Sequence, residues 1–273
     1  MNSLHNLKRW VKTTQHPLGM SVRALHTGWR EFEIPALYPV YKPLRLLHQA
    51  VSQLCSETAR IMYWTPMFRT RLRHGPQGLG NQLYLFGGMP LVQGNLIMEM
   101  GRNCRLSGQT TFSGRWRTQE TPMLIIGNNV GISWQTTIAV GSKVILGDNV
   151  RMGGRCFLAG YPGHPVDPEA RAKGLPDTDD QVGDIILEKD VWLGSGVTVM
   201  KGVTIGAGTI VATGSVVTHD LPAGVIAAGM PAKVIKPINS AELAGATQQA
   251  ELNKKPADKE NHCVSALTEE DVA

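Results

Sequence analysis

Six apolar residues recur at intervals of six positions near the C-terminal end of the chain. The series comprises Leu187, Leu193, Val199, Ile205, Val211 and Val217. An α-helix repeats about every 3.6 residues and a half-buried strand alternates about every two, so neither produces this period. A period of six is typical of a β-solenoid, in which each short strand directs one equivalent side chain into a common core. The pattern therefore predicts an all-β solenoid.

A second set of residues follows the first at a constant offset of four positions. It comprises Val191, Val197, Val203, Thr209 and Ser215. Glycine-rich stretches lie between the two sets, as in LGSG at 193–196 and IGAG at 205–208. Because glycine adopts positive φ at little steric cost, these stretches predict the corners of a tight coil.

The same period occurs earlier in the chain in looser form. The earlier series are Met100, Leu106 and Phe112; Ile126, Ile132, Ile138 and Val144; and Leu146, Met152 and Leu158. The repeats therefore occupy about residues 94–235, with interruptions at 113–123 and 159–186. Each coil of a solenoid packs only on its neighbours, so a loop can leave at a corner. We expect function in the longer interruption.

Composition divides the chain into three parts. We expect a basic, partly helical N-terminal extension at 1–91, the solenoid at 92–238 and a flexible polar tail at 239–273. No stretch approaches the ~20 apolar residues of a membrane span. The four cysteines share no close spacing, which argues against a zinc site or a disulfide framework and favours a reducing cytoplasm.

Charge is concentrated in the extension. Residues 1–90 hold eleven Lys or Arg and three Asp or Glu, a balance of +8, which leaves −3 for the rest. Residues 43–62 predict a helix whose apolar face precedes the aromatic segment YWTPMF at 63–68. Two interpretations stay open and can both hold. The extension could cap the open end of the solenoid, or form a basic, aromatic surface for anionic membrane or an acidic substrate. No motif supports nucleic-acid binding.

One histidine of the longer interruption is a candidate for catalysis. His164 lies outside the apolar period, in GHPVDPEAR at 163–171, between a glycine and a proline that restrict its backbone. Histidine is the side chain best suited to accept a proton near neutral pH. Taken alone, an ordinary loop histidine remains the simpler interpretation, since the chain has eight histidines.

Five motifs together resemble those of a known family. They are GHPVDPEAR at 163–171, DVWLGSG at 190–196, KGVTIG at 201–206, GSVVTHDLP at 214–222 and AGMPAKVI at 228–235. In this order and spacing the chain resembles the hexapeptide-repeat acyltransferases, in the branch of maltose, galactoside and polysaccharide O-acetyltransferases. The resemblance covers about residues 92–238 and is strongest over 146–238.

The resemblance implies a left-handed parallel β-helix that forms a homotrimer, with active sites between subunits and acetyl-CoA as the donor. No metal is expected. The family's catalytic histidine falls on His164, which would act as general base on an acceptor hydroxyl that attacks the thioester directly. Backbone N–H groups at coil corners would stabilise the oxyanion.

Further site residues are implied by the resemblance. The stretch that lines the thioester includes Ser195, and Thr213 and Thr218 match contacts to the pantetheine arm. His219 stands where many relatives carry a lysine near the CoA phosphates, which weakens that contact. Lys233 and Lys236 match basic positions near the adenosine end and could supply it.

Three residues are candidates for the acceptor side. Trp192 matches an aromatic residue that borders the active site, and packing on the outer face of the coil is an equal alternative. Asp167 could orient His164, although a capping role before Pro168 is favoured. Ser133 lies near the position where maltose and galactoside enzymes carry an asparagine, so acceptor chemistry could differ.

The expected function is acetyl-CoA-dependent O-acetylation of a saccharide, of a cell-envelope glycan or its lipid-linked precursor. The expected location is the cytoplasm, with peripheral contact at the inner face of the cell membrane. The alternatives are N-acetylation of an amino sugar and a non-catalytic β-helix scaffold. A γ-class carbonic anhydrase would need three histidine ligands, and only His164 and His219 lie in the repeats.

Overall fold

The computed structural model describes residues 2–34, 37–116, 118 and 120–238. The predicted tail at 239–273 lies outside the described residues. The chain divides into two units, Met1–Cys55 and Ser56–Ala273. The first is helical and the second contains the β-strands.

The N-terminal unit is built from amphipathic helices. Its helices are α1 (Asn2–Thr13), α2 (Pro17–Arg30) and α3 (Tyr38–Ala59), the last of which continues past the end of the unit. Arg23 of α2 donates to the carbonyl oxygens of Val11, Lys12 and Thr14 at 2.7–2.9 Å, which satisfies acceptors left open at the end of α1. In the described part of the chain, no helix is both long enough and apolar enough to cross a membrane.

The second unit is a stack of short strands. The strands are β1 (Tyr84–Phe86), β2 (Leu91–Gln93), β3 (Ile97–Met100), β4 (Arg105–Ser107), β5 (Thr111–Gly114), β6 (Met123–Ile126), β7 (Gly131–Ile132), β8 (Thr137–Val140), β9 (Lys143–Leu146), β10 (Arg151–Met152), β11 (Phe157–Ala159), β12 (Ile185–Leu187), β13 (Trp192–Leu193), β14 (Thr198–Met200), β15 (Thr204–Ile205), β16 (Ile210–Val211), β17 (Val216–Val217), β18 (Val225–Gly229) and β19 (Ala232–Pro237).

These strands form the three sheets of a left-handed parallel β-helix. One sheet has the order β1-β4-β7-β10-β13-β16-β18-β19, the second β17-β14-β11-β8-β5-β2 and the third β15-β12-β9-β6-β3. All pairs are parallel except β18 with β19. Leu193 pairs with Val211 and Val199 with Val217, so one uninterrupted coil takes eighteen residues, or three strands of the six-residue period. The predicted fold is confirmed.

The core consists of the residues that the six-residue period selects. Every member of the four apolar series is at most 2% exposed, and together they form one continuous hydrophobic cluster. The offset set is buried too, including the polar Thr209 and Ser215. Thr209 donates its hydroxyl to the carbonyl oxygen of Pro222 at 2.6 Å, so its burial leaves no unpaired group.

The first coil begins earlier than residue 92. The expected boundary falls inside β2, and β1 already pairs in parallel with β4 through Leu85 and Leu106. An isolated bridge joins Leu72 to Met98 of β3. The period is hard to see in this coil because glycines and a proline (LFGGMP at 85–90) separate its two strands.

A short helical segment covers the N-terminal end of the coils. It consists of a π-helical turn (Arg60–Trp64) and α4 (Thr65–Arg69). Phe68 is buried and its ring centroid lies 6.2 Å from that of Phe112. Trp64 packs against the same core. The cover is therefore formed by residues 64–72. On α3, the side chains of Leu44 and Leu47 are exposed.

Glycine at one corner allows successive coils to approach closely. A Cβ atom at Gly194 would lie 2.6 Å from the backbone nitrogen of Thr213 in the next coil, closer than real Cβ contacts. The Gly194 N–H meanwhile donates to the carbonyl oxygen of Val211 at 2.8 Å. Neither backbone can move away without breaking the ladder.

We therefore expect Gly194→Ala to lower the free energy of unfolding by about 1–3 kcal/mol, the usual cost of overpacking. Gly131→Ala is the matched control, because its Cβ would meet only the flexible Arg151 side chain, at 3.2 Å. Urea unfolding of the two variants measures the difference. An equal loss in both would contradict the close-approach explanation.

Candidate active site

The longer interruption is an ordered loop between β11 and β12. It contains α5 (Pro168–Ala172) and a 3₁₀ turn (Asp179–Gln181). Asp167 caps α5, since its Oδ2 accepts from the backbone N–H of Ala170 at 2.7 Å. The favoured capping role of Asp167 is therefore confirmed, and this carboxylate oxygen is committed to the helix.

His164 is presented at the surface of this loop. It follows Gly163, whose φ of +80° lies in the left-handed region, and precedes the buried Pro165. Its imidazole is exposed and makes no hydrogen bond to the rest of the described chain. Arg171 donates from Nη1 to the carbonyl oxygens of Pro165 and Val166 at 3.0 and 2.9 Å. The backbone beside the histidine is thus held, while its ring is exposed.

A buried ion pair, which sequence reasoning missed, supports the loop from a coil two turns earlier, because β5, β8 and β11 are successive strands of one sheet. Arg115 donates from Nε to Oδ1 of Asp177 at 2.6 Å and from Nη1 to Oδ1 of Asp179 at 2.5 Å. Burial alone would lower the pKa of Arg115, but its hydrogen bonds to Asp179 and Asp177 outweigh burial and raise it. Arg115 is therefore held as a permanent cation. The sequence shows only that each interruption contains charged residues, Arg115 in one and Asp177 in the other.

An apolar cavity lies within the same loop. It has a volume of about 390 Å³, and its lining includes Val166, Leu175 and Pro176. Val166 and Leu175 are 77% and 46% exposed. The loop therefore offers an apolar surface beside His164 that nothing in the described chain covers.

Three predicted site residues stack at one corner of the β-helix. Ser133, Ser195 and Thr213 follow β7, β13 and β16 of the same sheet. Backbone hydrogen bonds connect this corner, from Gly196 to the carbonyl oxygen of Gly154 and from Gly214 to that of Ser195, at 2.8 and 2.9 Å. Ser195 and Thr213 are exposed. The corner therefore forms a narrow polar strip along the outside of the coils.

An aromatic residue that was not predicted as a site residue lies in this strip. Trp134, next to Ser133, covers Gly154, where a Cβ would lie 2.8 Å from the indole nitrogen. The guanidinium of Arg155 lies 5.2 Å from the Trp134 ring, within cation–π range. Trp134 could have been recognised from the sequence, since SWQ at 133–135 stands where later coils carry glycine.

Trp192 lies on the outer face of the sheet that leads to this corner. It pairs with Arg151 and Ile210 on the neighbouring strands, and it is 53% exposed. Its outward direction follows from strand alternation, because the next residue, Leu193, points into the core. The described chain packs only part of this ring.

The remaining predicted residues lie at other edges. Thr218 and His219 follow β17, and the Thr218 hydroxyl lies 2.9 Å from Nδ1 of His219. Lys233 and Lys236 lie on β19, at the edge of the sheet that ends in β18 and β19. Both lysines are exposed.

The loop and the polar strip leave the β-helix at different corners. The loop begins after β11 and Ser195 precedes β14, so the two flank the sheet that contains both strands. At about 3.3 Å per residue, the stretch from Ser195 to Met200 spans roughly 16 Å. No hydrogen bond joins residues 160–166 to that strip in the described part of the chain. One chain therefore presents two separate halves of the predicted site.

Metal-binding clusters were sought among the same residues. Across 2–34, 37–116, 118 and 120–238, no group of three or more His, Cys, Asp or Glu side chains could hold a metal ion. Neither His164 nor His219 therefore belongs to such a group in this part of the chain.

Comparison with known proteins supports the resemblance. The family model described as bacterial transferase hexapeptide (six repeats) matches residues 184–219. The galactoside O-acetyltransferase of Lactococcus lactis is 31% identical over 150 residues, which cover 54% of this chain and 67% of the relative. That of Escherichia coli K12 is 38% identical over 118 residues, or 42% and 54%.

A third relative acts on a polymer. The polysialic acid O-acetyltransferase of Escherichia coli O1:K1 is 43% identical over 117 residues, which cover 40% of this chain and 37% of the relative. The chain spans about half the length of the first curated relatives it matches. On this similarity and its coil architecture, the chain belongs to the hexapeptide-repeat acyltransferase family, in the branch of galactoside and polysaccharide O-acetyltransferases.

Proposed function

We propose that the protein is an acetyl-CoA-dependent O-acetyltransferase that acts on a saccharide hydroxyl. The observation that carries the proposal is the braced loop, which presents His164 outside the coils in a chain of this family. Relatives that acetylate galactosides and polysialic acid support a saccharide acceptor. We propose a cell-envelope glycan or its lipid-linked precursor as that acceptor.

His164 acts as general base in the proposed reaction. A ring nitrogen accepts the proton of the acceptor hydroxyl as the hydroxyl oxygen forms a bond to the thioester carbonyl carbon. The carbon–sulfur bond then breaks, and the imidazolium returns the proton to the departing thiolate. The products are the acetyl ester and CoA, with no acyl-enzyme. A sugar hydroxyl is a poor nucleophile at neutral pH, and a positioned base contributes about 10²–10⁴ in rate.

The polar strip is the proposed donor side. Ser195 lies where the thioester would run, and Thr213 and Thr218 would contact the pantetheine arm. His219, Lys233 and Lys236 would face the phosphate groups of CoA. Exposed hydroxyls and cations are the groups that such a polyanionic ligand requires, which supports this assignment. Trp192 and Ser133 would border the acceptor, whereas Asp167 would act through the cap of α5.

The two halves of the site support a homotrimer. His164 and the Ser195 strip flank one sheet in a single chain, so a partner that brings its loop against this strip would complete the site. The exposed apolar side chains of the loop, Val166 and Leu175, would be covered in such an interface. We propose that each site takes His164 from one subunit and the strip from the next.

We further propose that the N-terminal unit rests on an anionic membrane surface. Leu18, Val22, Leu25 and Trp29 follow the spacing of one face of α2, and all four are 47–81% exposed. Residues 1–55 hold seven Lys or Arg against two Asp or Glu, a balance of +5. A basic helical unit with an uncovered apolar face that includes a tryptophan is typical of interfacial binding.

The proposed location is the inner face of the cell membrane, in the cytoplasm. Acetyl-CoA and lipid-linked glycan precursors would meet the enzyme there. Cys104 and Cys156 are free and buried, and burial raises the pKa of each thiol, so both stay protonated and unreactive. Free thiols support a reducing compartment.

The catalytic role of His164 is tested by His164→Ala. We expect the rate of CoA release, measured with acetyl-CoA and a galactoside or sialic acid polymer, to fall about 10²–10⁴-fold, because the base is lost. His48→Ala, at an exposed position of α3, is the matched control and keeps the wild-type rate. A His164→Ala protein as fast as wild type would refute the assignment.

Membrane contact is tested by sedimentation with vesicles. Full-length protein should sediment with vesicles that contain phosphatidylserine and not with pure phosphatidylcholine, and added salt should release it. Leu25→Ser with Trp29→Ser should abolish binding, whereas the control pair Met89→Ser and Leu91→Ser on the coils should not. Equal sedimentation of both variants would contradict the proposal. So would a result in which no protein binds vesicles and the Leu25→Ser/Trp29→Ser variant instead loses self-association.

A further inference from the structure

The two interruptions of the coil array are joined by one side chain. Arg115 follows β5 in the shorter interruption and is 5% exposed. Its guanidinium donates to three acceptors on the longer loop: Oδ1 of Asp177, the carbonyl oxygen of Asp177 and Oδ1 of Asp179, at 2.5–2.6 Å. The planar guanidinium group holds several N–H donors in fixed directions, so it restricts both the position and the orientation of the loop.

Asp177 also holds the backbone near the start of the loop. Its second carboxylate oxygen, Oδ2, accepts from the backbone N–H of Gly163 at 3.0 Å. Gly163 immediately precedes His164. One buried carboxylate therefore connects Arg115, two coils earlier, to the residue next to the proposed base.

A second contact lies beside the first. The hydroxyls of Ser113 and Tyr161 are 2.8 Å apart, so residues near the start of each interruption are joined as well. The coil itself does not need the ion pair, because the Arg115 backbone N–H already donates to the carbonyl oxygen of Val140 at 3.1 Å. The guanidinium acts on the loop and not on the ladder.

His164 has no support of its own for its ring. Its imidazole makes no hydrogen bond within the described chain, so its direction depends on the backbone of residues 163–166. Asp177 holds that backbone at Gly163, and Arg171 holds it at Pro165 and Val166. Loss of the Asp177 contact would remove one of the two sets of contacts that hold the backbone on either side of the histidine.

We propose that Arg115 and Asp177 are positioning residues that hold His164 in its catalytic direction. This role rests on the proposed function of His164 as general base. Neither residue touches the reacting atoms in this scheme. The shorter interruption has a role in this scheme, because it contains the arginine that holds the loop of the longer interruption.

The test compares Arg115→Lys with Arg69→Lys. A lysine ammonium keeps the charge but lacks the planar set of donors, so it cannot hold all three acceptors. Arg69 is the matched control, because its guanidinium also donates to two acceptors, Leu79 and Asn81, but far from the loop in sequence. For Arg115→Lys we expect kcat to fall about 100-fold, the effect of displacing a catalytic group by about 1 Å.

The KM for acetyl-CoA in Arg115→Lys should change less than about twofold, since the proposed donor residues lie at another corner. Arg69→Lys should keep both constants. Asp177→Asn should behave as Arg115→Lys does. A merely structural role would lower the amount of active protein and leave kcat per folded molecule unchanged, which thermal unfolding and active-site titration measure.

Hydrogen exchange provides a readout that does not depend on activity. The Gly163 amide, whose N–H donates to Asp177, should exchange at least about tenfold faster in Arg115→Lys than in wild type, while the coil amides keep their rates. Unchanged exchange at this amide would overturn the inference, whether or not the wild type transfers acetyl groups. Faster exchange with an unchanged kcat would overturn it too. An inactive wild type with the expected exchange would instead refute the proposed function.

Discussion

The structure depends on the contact between equivalent residues of successive coils. Each strand directs one apolar side chain inward, and each pairs with strands eighteen residues away where the coils are uninterrupted. At the corners the backbones approach so closely that a Cβ at Gly147, Gly153 or Gly194 would overlap the next coil. This register leaves no freedom inside the stack, so variation is confined to the outer faces, the corners and the interruptions.

The candidate site residues therefore lie in loops and corners outside the stacked core. The loop with His164 departs at one corner and the polar strip with Ser195 lies at another. Rigid coils hold these parts at fixed separation, which favours a site completed by a second subunit. A buried arginine then supports the loop, because its pairing with Asp177 costs much less than leaving either charge buried alone.

The sequence predicted the repetitive part of the molecule well. The period of six selected core residues that are all buried, and the proline after Asp167 indicated the cap that the structure confirms. The coil at β1 and β2 was missed because its glycines interrupt the period. The pair of Arg115 with Asp177 was missed because 62 positions separate them, and only the stacked register brings them together. Contacts across a loop carry no periodic signal.

The central claim, a site shared between subunits, is tested most directly by mixing two inactive chains. His164→Ala removes the base, and Ser195→Trp fills the strip. Co-expressed chains that assemble at random should regain about a quarter of wild-type CoA release, because some sites then combine a native loop with a native strip. If wild type is active and the mixture stays at the level of the separate variants, each site lies within one chain and the account is wrong.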